Sequence, residues 1–312
     1  MNCLTLPAND PFFNLGAEEY LLKNSSREFL ILYTNSPSVI IGKHQCLHRE
    51  TDTEYVTLNN IPVIRRLSGG GTVFHDGNNL NFTFIRNSEP GRQVDFQKHT
   101  APVIGFLASL GIEARLEGKN DLKVNGLKIS GNAEHVHRNR VLHHGTLLFD
   151  SDLGALRASL RRDTSAYITR AVNSNPSSVA NLKPLLPAIE NISGFRKRME
   201  DYFLNFPGTE KYFLTDTETA IIEALANTKY RTWEWNYAYG PDYQLIKQID
   251  CQSLRSQLRI EIKQGIITEC SAEDSELKKI FSKFTGRKHI VNELAEVIEK
   301  ENIKGLSVFS LF

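Results

Sequence analysis

The stretch RRLSGGGTVFHDGNNLNFTF, residues 65–84, carries the densest structural signal in the chain. Its second half reads as a strand, with Leu80, Phe82 and Phe84 alternating against Asn81 and Thr83 in the period-two pattern of a half-buried β-strand. Shorter apolar runs at 61–66 and 72–76 predict two more strands, with three consecutive glycines, Gly69, Gly70 and Gly71, between them. Glycines there weaken strand pairing and leave backbone N–H groups open to close approach by a ligand. Such a loop can cradle a phosphate or a carboxylate. Arg65 and Arg66 stand just upstream, and a guanidinium suits bidentate contact with either anion. An anion-binding loop and a plain glycine-rich turn both fit this pattern. It is neither the GxxxxGK[ST] loop nor a GxGxxG dinucleotide loop, and no helix follows it directly.

Downstream, NDLKVNGLKISGNA (120–133) places Asn-Gly between alternating apolar residues, the strongest short-range hairpin signal. Lys128 sits two residues past that turn, flanked by Leu127 and Ile129. It is either a lysine aimed into a cleft or an ordinary solvated strand lysine. HVHRNRVLHHGTLLF (135–149) predicts two strands, near 132–137 and 141–149, about a polar turn. Its histidines 135, 137, 143 and 144 invite a zinc reading, but no cysteine or carboxylate stands at ligand spacing, and histidines on a sheet face explain them better.

The rest of the chain frames this region. Asp10-Pro11 opens a helix as N-cap and first turn, FLILY (29–33) and SVIIG (38–42) predict a strand pair about a Thr-Asn-Ser-Pro turn, and further helices fall near 97–110, 152–162, 193–205 and 216–228. The last carries a capping-box pattern, Thr215 to Glu218. The aromatic run WEWNYAYGPDYQ (233–244) breaks at Gly240-Pro241 and ends the larger unit. A hairpin over 255–271, turning at Gln264-Gly265, and two helices near 273–284 and 290–301 complete a short tail that packs on that unit. The 312 residues are 40% hydrophobic and 23% charged, and 37 basic against 36 acidic side chains give a net charge of +1. That balance excludes disorder and any global pull toward nucleic acid or anionic membrane. No apolar run approaches a membrane span, the N-terminus lacks a signal-peptide pattern, and the four cysteines are far apart. The expectation is a soluble cytoplasmic protein with free thiols.

In this order and spacing, RRLSGGGTVFHDGNNLNFTF, NDLKVNGLKISGNA and HHGTLLF resemble the catalytic domain of the lipoate–protein ligase A family. PSVIIGKHQ (37–45), SSVANL (177–182) and WEWNYAYGPDY (233–243) extend the likeness. The resemblance implies an α+β fold, with a mixed-sheet catalytic domain of the biotin/lipoate ligase type over 1–245 and a small α+β accessory domain over 246–312. It implies two-step chemistry. Free lipoate and ATP, with magnesium, give lipoyl-adenylate and pyrophosphate, and a carrier lysine then takes the lipoyl group and releases AMP. By the same resemblance Lys128 is catalytic, touching the α-phosphate and the acyl carbonyl oxygen. Arg66, Ser68, Gly69, Gly70 and Gly71 line the lipoyl and phosphate path, His75 and Asn79 lie near the adenylate, Asn120 and Asp121 form an Asn-Asp pair, and Asp121 is the magnesium contact. His144 and Thr146 support from behind. The implied partners are lipoyl-carrier domains, either ketoacid dehydrogenase acyltransferase subunits or the glycine cleavage H protein.

Rival readings are a transferase of the same fold that takes the acyl group from preformed lipoyl-adenylate or another donor, and a catalytically silent module that binds acyl-adenylate or carrier. An acyl-enzyme route needs a cysteine nucleophile, and none occurs between Cys46 and Cys251. Biotin ligation fits poorly, because its loop alternates arginine with glycine.

Overall fold

The structure is a computed structural model that describes residues 1–312 apart from 90, 92, 93, 162 and 176. Its elements in chain order begin with β1 (Asn2–Thr5), α1 (Pro11–Asn24), β2 (Phe29–Tyr33) and β3 (Ser38–Ile41). Short helices α2 (Leu47–Glu50) and α3 (Thr53–Leu58) precede β4 (Val63–Arg65), β5 (Val73–His75) and β6 (Asn79–Asn87). Next come α4 (Phe96–Ser109), β7 (Arg115–Glu117), β8 (Asp121–Val124), β9 (Leu127–His137) and β10 (Arg140–Leu148). Then α5 (Leu153–Ser159), β11 (Tyr167–Thr169), α6 (Ile192–Leu204), β12 (Glu210–Tyr212) and α7 (Asp216–Leu225) lead to β13 (Tyr243–Cys251), β14 (Leu254–Lys263), β15 (Ile266–Ala272), α8 (Ser275–Phe281) and α9 (Val291–Lys300).

The main sheet has the order β12-β1-β2-β6-β10-β9-β8-β7. Its first three strands run parallel and the others pair antiparallel. A second sheet, β4-β3-β5, carries the glycine loop between β4 and β5. The expected pairing of 29–33 with 38–42 does not form. Both edges of β2 are already taken, by β1 and β6, so the chain leaves the main sheet at Thr34-Asn35 and β3 starts the second one. Helix α1 begins as the sequence suggests, with Asp10 accepting from the Phe12 N–H. It is not amphipathic, because it is packed on nearly every side, and even Glu18 and Glu19 are buried.

The Asn-Gly hairpin forms as expected, with positive φ at Asn125 (50°) and Gly126 (77°), the pairing of a type I′ turn. One feature is invisible in the pattern. Lys123 pairs with Lys128, but Leu122 pairs with Ser130, so Ile129 is an extra residue, a β-bulge. Side chains alternate faces along a strand, and without the bulge Lys128 would share a face with Ser130. With it, Lys128 and Gly131 lie on one face, and Ile129 turns into the main core. The segment 177–180 holds the free edge of this bend, with Lys128 N–H donating to the Ser178 carbonyl (2.9 Å) and Ala180 N–H to that of Lys128 (3.0 Å).

The C-terminal sheet, β11-β13-β14-β15, packs with α8 and α9 around its own apolar cluster, which also takes in Cys46 and Tyr167. Strand β13 starts directly after Gly240-Pro241, so the division expected at 245/246 falls inside a strand. The segment 226–230 and the aromatic run at 234–238 form π-helical turns. No helix of the described residues is long and apolar enough to cross a membrane. The capping box of α7 is complete, with Thr215 N–H donating to the Glu218 carboxylate (2.9 Å) and Glu218 N–H to Thr215 Oγ1 (3.2 Å). Thr215→Ala should cost about 1 kcal/mol, read as a lower urea midpoint at unchanged slope.

Candidate active site

A cleft of about 550 Å³ opens between the glycine loop, strands β8 to β10 and the segment 172–175, a size suited to a small molecule. Gly69, Gly70, Gly71, His75, Asn120, Asp121 and Lys128 all stand on its wall, and the guanidinium of Arg66 reaches it. Lys128 Nζ is 2.8 Å from Asp121 Oδ1, each side chain about one-fifth exposed. Gly131 makes room for it, since a Cβ there would lie 3.1 Å from Lys128 Cε.

The loop owes its shape to Arg66. Its Nη2 donates to the carbonyls of Gly69 (2.6 Å) and Gly71 (2.7 Å), Nη1 to that of Ile40 (3.0 Å), and Nε to Ser68 Oγ (2.9 Å). Gly70 takes φ of 86°, a left-handed conformation that favours glycine. Gly42 presses against it so closely that a Cβ would run into the Gly70 carbonyl oxygen. With its carbonyls drawn inward, the loop is braced on its outer side by Gln45 and Ser174. Gln45 Oε1 accepts from Gly42 N–H (2.8 Å) and Thr72 Oγ1 (2.9 Å), and Ser174 Oγ accepts from Thr72 N–H (2.9 Å).

Two expected ligand contacts lie elsewhere. Ser68 is fully buried behind the loop, where it bridges Arg66 to His144 Nε2 (2.6 Å). Asn79 is also fully buried and donates to Asn81 Oδ1 (2.8 Å), and it is Asn81 that reaches the wall. Residues 79 and 81 share a face of their strand, so the difference is one of position along it, Asn79 lying at the strand start. Asn120 is on the wall but spends its amide on the Asn132 carbonyl (2.5 Å). Arg65 turns away altogether. Its guanidinium is saturated by the carbonyls of Gly42, Lys43, Gln45, Trp235 and Asn236.

Sequence reasoning missed Glu18. This buried carboxylate on α1 accepts from Tyr33 Oη (2.8 Å) and Thr83 Oγ1 and lies 3.0 Å from His144 Nδ1. Burial works against its charge, but His144, then Thr83 and Tyr33, outweigh burial and hold the carboxyl below the ordinary range. A glutamate inside a helix that reads as solvent-facing gives no sequence signal of this role. The histidine-rich strands do not gather as the sequence invited. His143 instead meets His99 of α4, the Nδ1 atoms lying 2.9 and 3.0 Å from one oxygen of Glu134.

Residues 10–204 match the family described as "Lipoyl protein ligase A/B catalytic domain". Lipoate–protein ligase 1 of Staphylococcus aureus is 38% identical over 279 residues, 89% of this chain and 83% of that protein. The solved structure of protein Ta0514 of T. acidophilum with bound lipoic acid superposes with a TM-score of 0.64 at 26% identity, covering 75% of this chain and 98% of that one. A lipoate–protein ligase A bound with ATP gives 0.64 and 26%, covering 75% and 97%. The chain belongs to the lipoyl protein ligase family, and its α+β fold is that of the lipoate ligases.

Gly42→Ala should push the loop out of register with Arg66. The expected outcome is at least a tenfold loss of ATP affinity by calorimetry, with the protein still folded by circular dichroism.

Proposed function

We propose that this protein is an ATP-dependent lipoate–protein ligase, which activates free lipoate to lipoyl-adenylate and transfers the lipoyl group to a lysine of a carrier domain. The observation that carries this reading is that Lys128 lines the same cleft as the Gly69–Gly71 loop. In the first step a lipoate carboxylate oxygen bonds to the α-phosphorus of ATP and the bond to pyrophosphate breaks. In the second, the carrier amine bonds to the acyl carbon, AMP leaves, and the amine loses a proton. Negative charge builds on the α-phosphate in one step and on the acyl oxygen in the other. A fixed cation at the junction of acid and nucleotide stabilises both, and Lys128 fills that position. The bulge that turns Lys128 toward Gly131 is therefore part of the catalytic geometry.

The donors present suit magnesium. Asp121 offers a partly exposed carboxylate at the rim, with Lys128 on one oxygen, and a single carboxylate is enough for an ion held mainly by phosphate oxygens and water. Bound there, magnesium would offset phosphate charge during activation. The Arg66-braced loop lines the cleft beside the site proposed for the phosphates, and Tyr33, Ile40 and Ala133 supply wall area for an apolar chain. An acyl-cysteine route has no support. Among the described residues no cysteine lines the cleft, and burial pushes the Cys46 thiol up to about 12.

The carriers are lipoyl domains of ketoacid dehydrogenase acyltransferases or of the glycine cleavage H protein, met in the cytoplasm. In this reading residues 246–312 act as the accessory domain. Lipoate-dependent pyrophosphate release from ATP and magnesium without any carrier tests the activation step. Lys128→Ala should lower that release, and transfer from supplied lipoyl-adenylate, by at least 100-fold. Transfer without release would make the protein a lipoyltransferase that needs an outside activator.

A further inference from the structure

His75 sits on the cleft wall, only 4% exposed. Its Nδ1 lies 2.8 Å from Asn35 Nδ2, and its buried Nε2 has no partner among the described residues. The protonation of this ring is set by groups well away from it. The backbone carbonyls of Ala8 (3.1 Å) and Thr34 (3.2 Å) both face Asn14 Nδ2. A carbonyl only accepts, so the Asn14 amide must turn its NH2 toward them. The same NH2 donates to Asn35 Oδ1 at the shortest distance of the three (2.8 Å), its two hydrogens being shared among the three acceptors, which leaves the Asn35 NH2 directed at the ring. An NH2 only donates, so Nδ1 must carry the lone pair, and in an uncharged imidazole the proton then sits on Nε2. Flipping either amide would set carbonyl against carbonyl or NH2 against NH2.

The ring also stays uncharged. Burial, then the charges of Arg66 and His144 facing it from the glycine loop and β10, hold its pKa down to about 3. The result is a donor with fixed direction, buried and unmatched within the protein. Buried polar groups are otherwise almost always satisfied, so an orphan on a cleft wall marks a place that a ligand completes. With the Arg66 guanidinium close by, the fitting acceptor is an anionic oxygen.

We propose that Asn14 and Asn35 are positioning residues that lock His75 as an uncharged Nε2–H donor, and that this donor takes a carboxylate or phosphate oxygen of the bound ligand. The ligand half of this inference rests on the functional reading above, whereas the locked tautomer does not.

Nitrogen-15 NMR of histidine-labelled protein reads the tautomer without turnover. His75 should show a bare Nδ1 and a protonated Nε2 from pH 5 to 8. A protonated Nδ1, or a charged ring at pH 7, overturns the proposal. Asn35→Asp keeps the shape but replaces the donor by an acceptor, and should move a proton onto Nδ1. Calorimetry of that variant with lipoate alone and with ATP alone then separates the two sources. The ligand whose affinity falls tenfold or more supplies the oxygen, the carboxylate for lipoate and the phosphate for ATP. Unchanged affinity for both overturns the donor role. Should Asn35→Asp fail to fold, His75→Phe removes the donor at similar volume and is judged by the same two titrations. A wild-type protein that binds neither ligand sinks the functional reading, while the NMR result still decides the tautomer.

Discussion

A buried guanidinium must have its donors matched and its charge answered, and Arg66 meets that demand with the glycine loop itself. Three backbone carbonyls and Ser68 take its N–H groups. Burial then favours the neutral form and Glu18 answers the charge, leaving the group near 10, still a cation at neutral pH. From Ser68 the chain of hydrogen bonds runs through His144 to Glu18, so helix α1, strand β10 and the loop form one electrostatic unit. The carbonyls of Gly69 and Gly71 face the arginine, and that of Gly70 lies against Gly42. The loop is thus shaped by satisfying its acceptors from behind.

The neighbouring arginine shows how parity divides labour. Arg65 lies on the opposite face of β4 and ties the 42–45 segment to the π-helical turn at 234–238. Asn236 Oδ1 caps the Arg65 N–H (2.8 Å), and Trp235 Nε1 donates to its carbonyl (2.7 Å). Through that clasp the far end of the larger unit, which the sequence marks only as an aromatic run, braces the same loop. Two adjacent arginines that look equivalent as anion contacts are therefore both structural cations, one shaping the loop and one anchoring its support.

Much of this was legible in advance because the signals were local. The Asn-Gly turn, the Thr215 capping box and the Asp10 N-cap each depend on a few neighbouring residues, and each formed as the pattern implied. The glycine loop and Lys128 stood out by residue type, and the structure gathers them around one cleft. What escaped was set at long range. The pairing of β2 with β1 and β6 depends on strands far apart in sequence, and so the expected 29–42 hairpin was lost. Ser68 and Asn79 carry the right chemistry for ligand contact, but depth in the fold decides exposure, and spacing does not encode depth. Glu18 and Asn35 act through buried contacts with His144 and His75, which lie 126 and 40 residues away, respectively, and no short window along the chain holds both members of either pair.

The single extra residue at Ile129 makes the hairpin an odd-even device. A register shift of two residues would leave Lys128 on the cleft side, whereas a shift of one would carry its ammonium into the apolar core and bring a leucine or isoleucine to the cleft. Aligning this hairpin with one that lacks the extra residue requires a one-residue gap at the bulge, and a gap placed elsewhere would set cleft positions against core positions. The lysine's identity is written in one codon, but its direction is written in the count of residues between two strands.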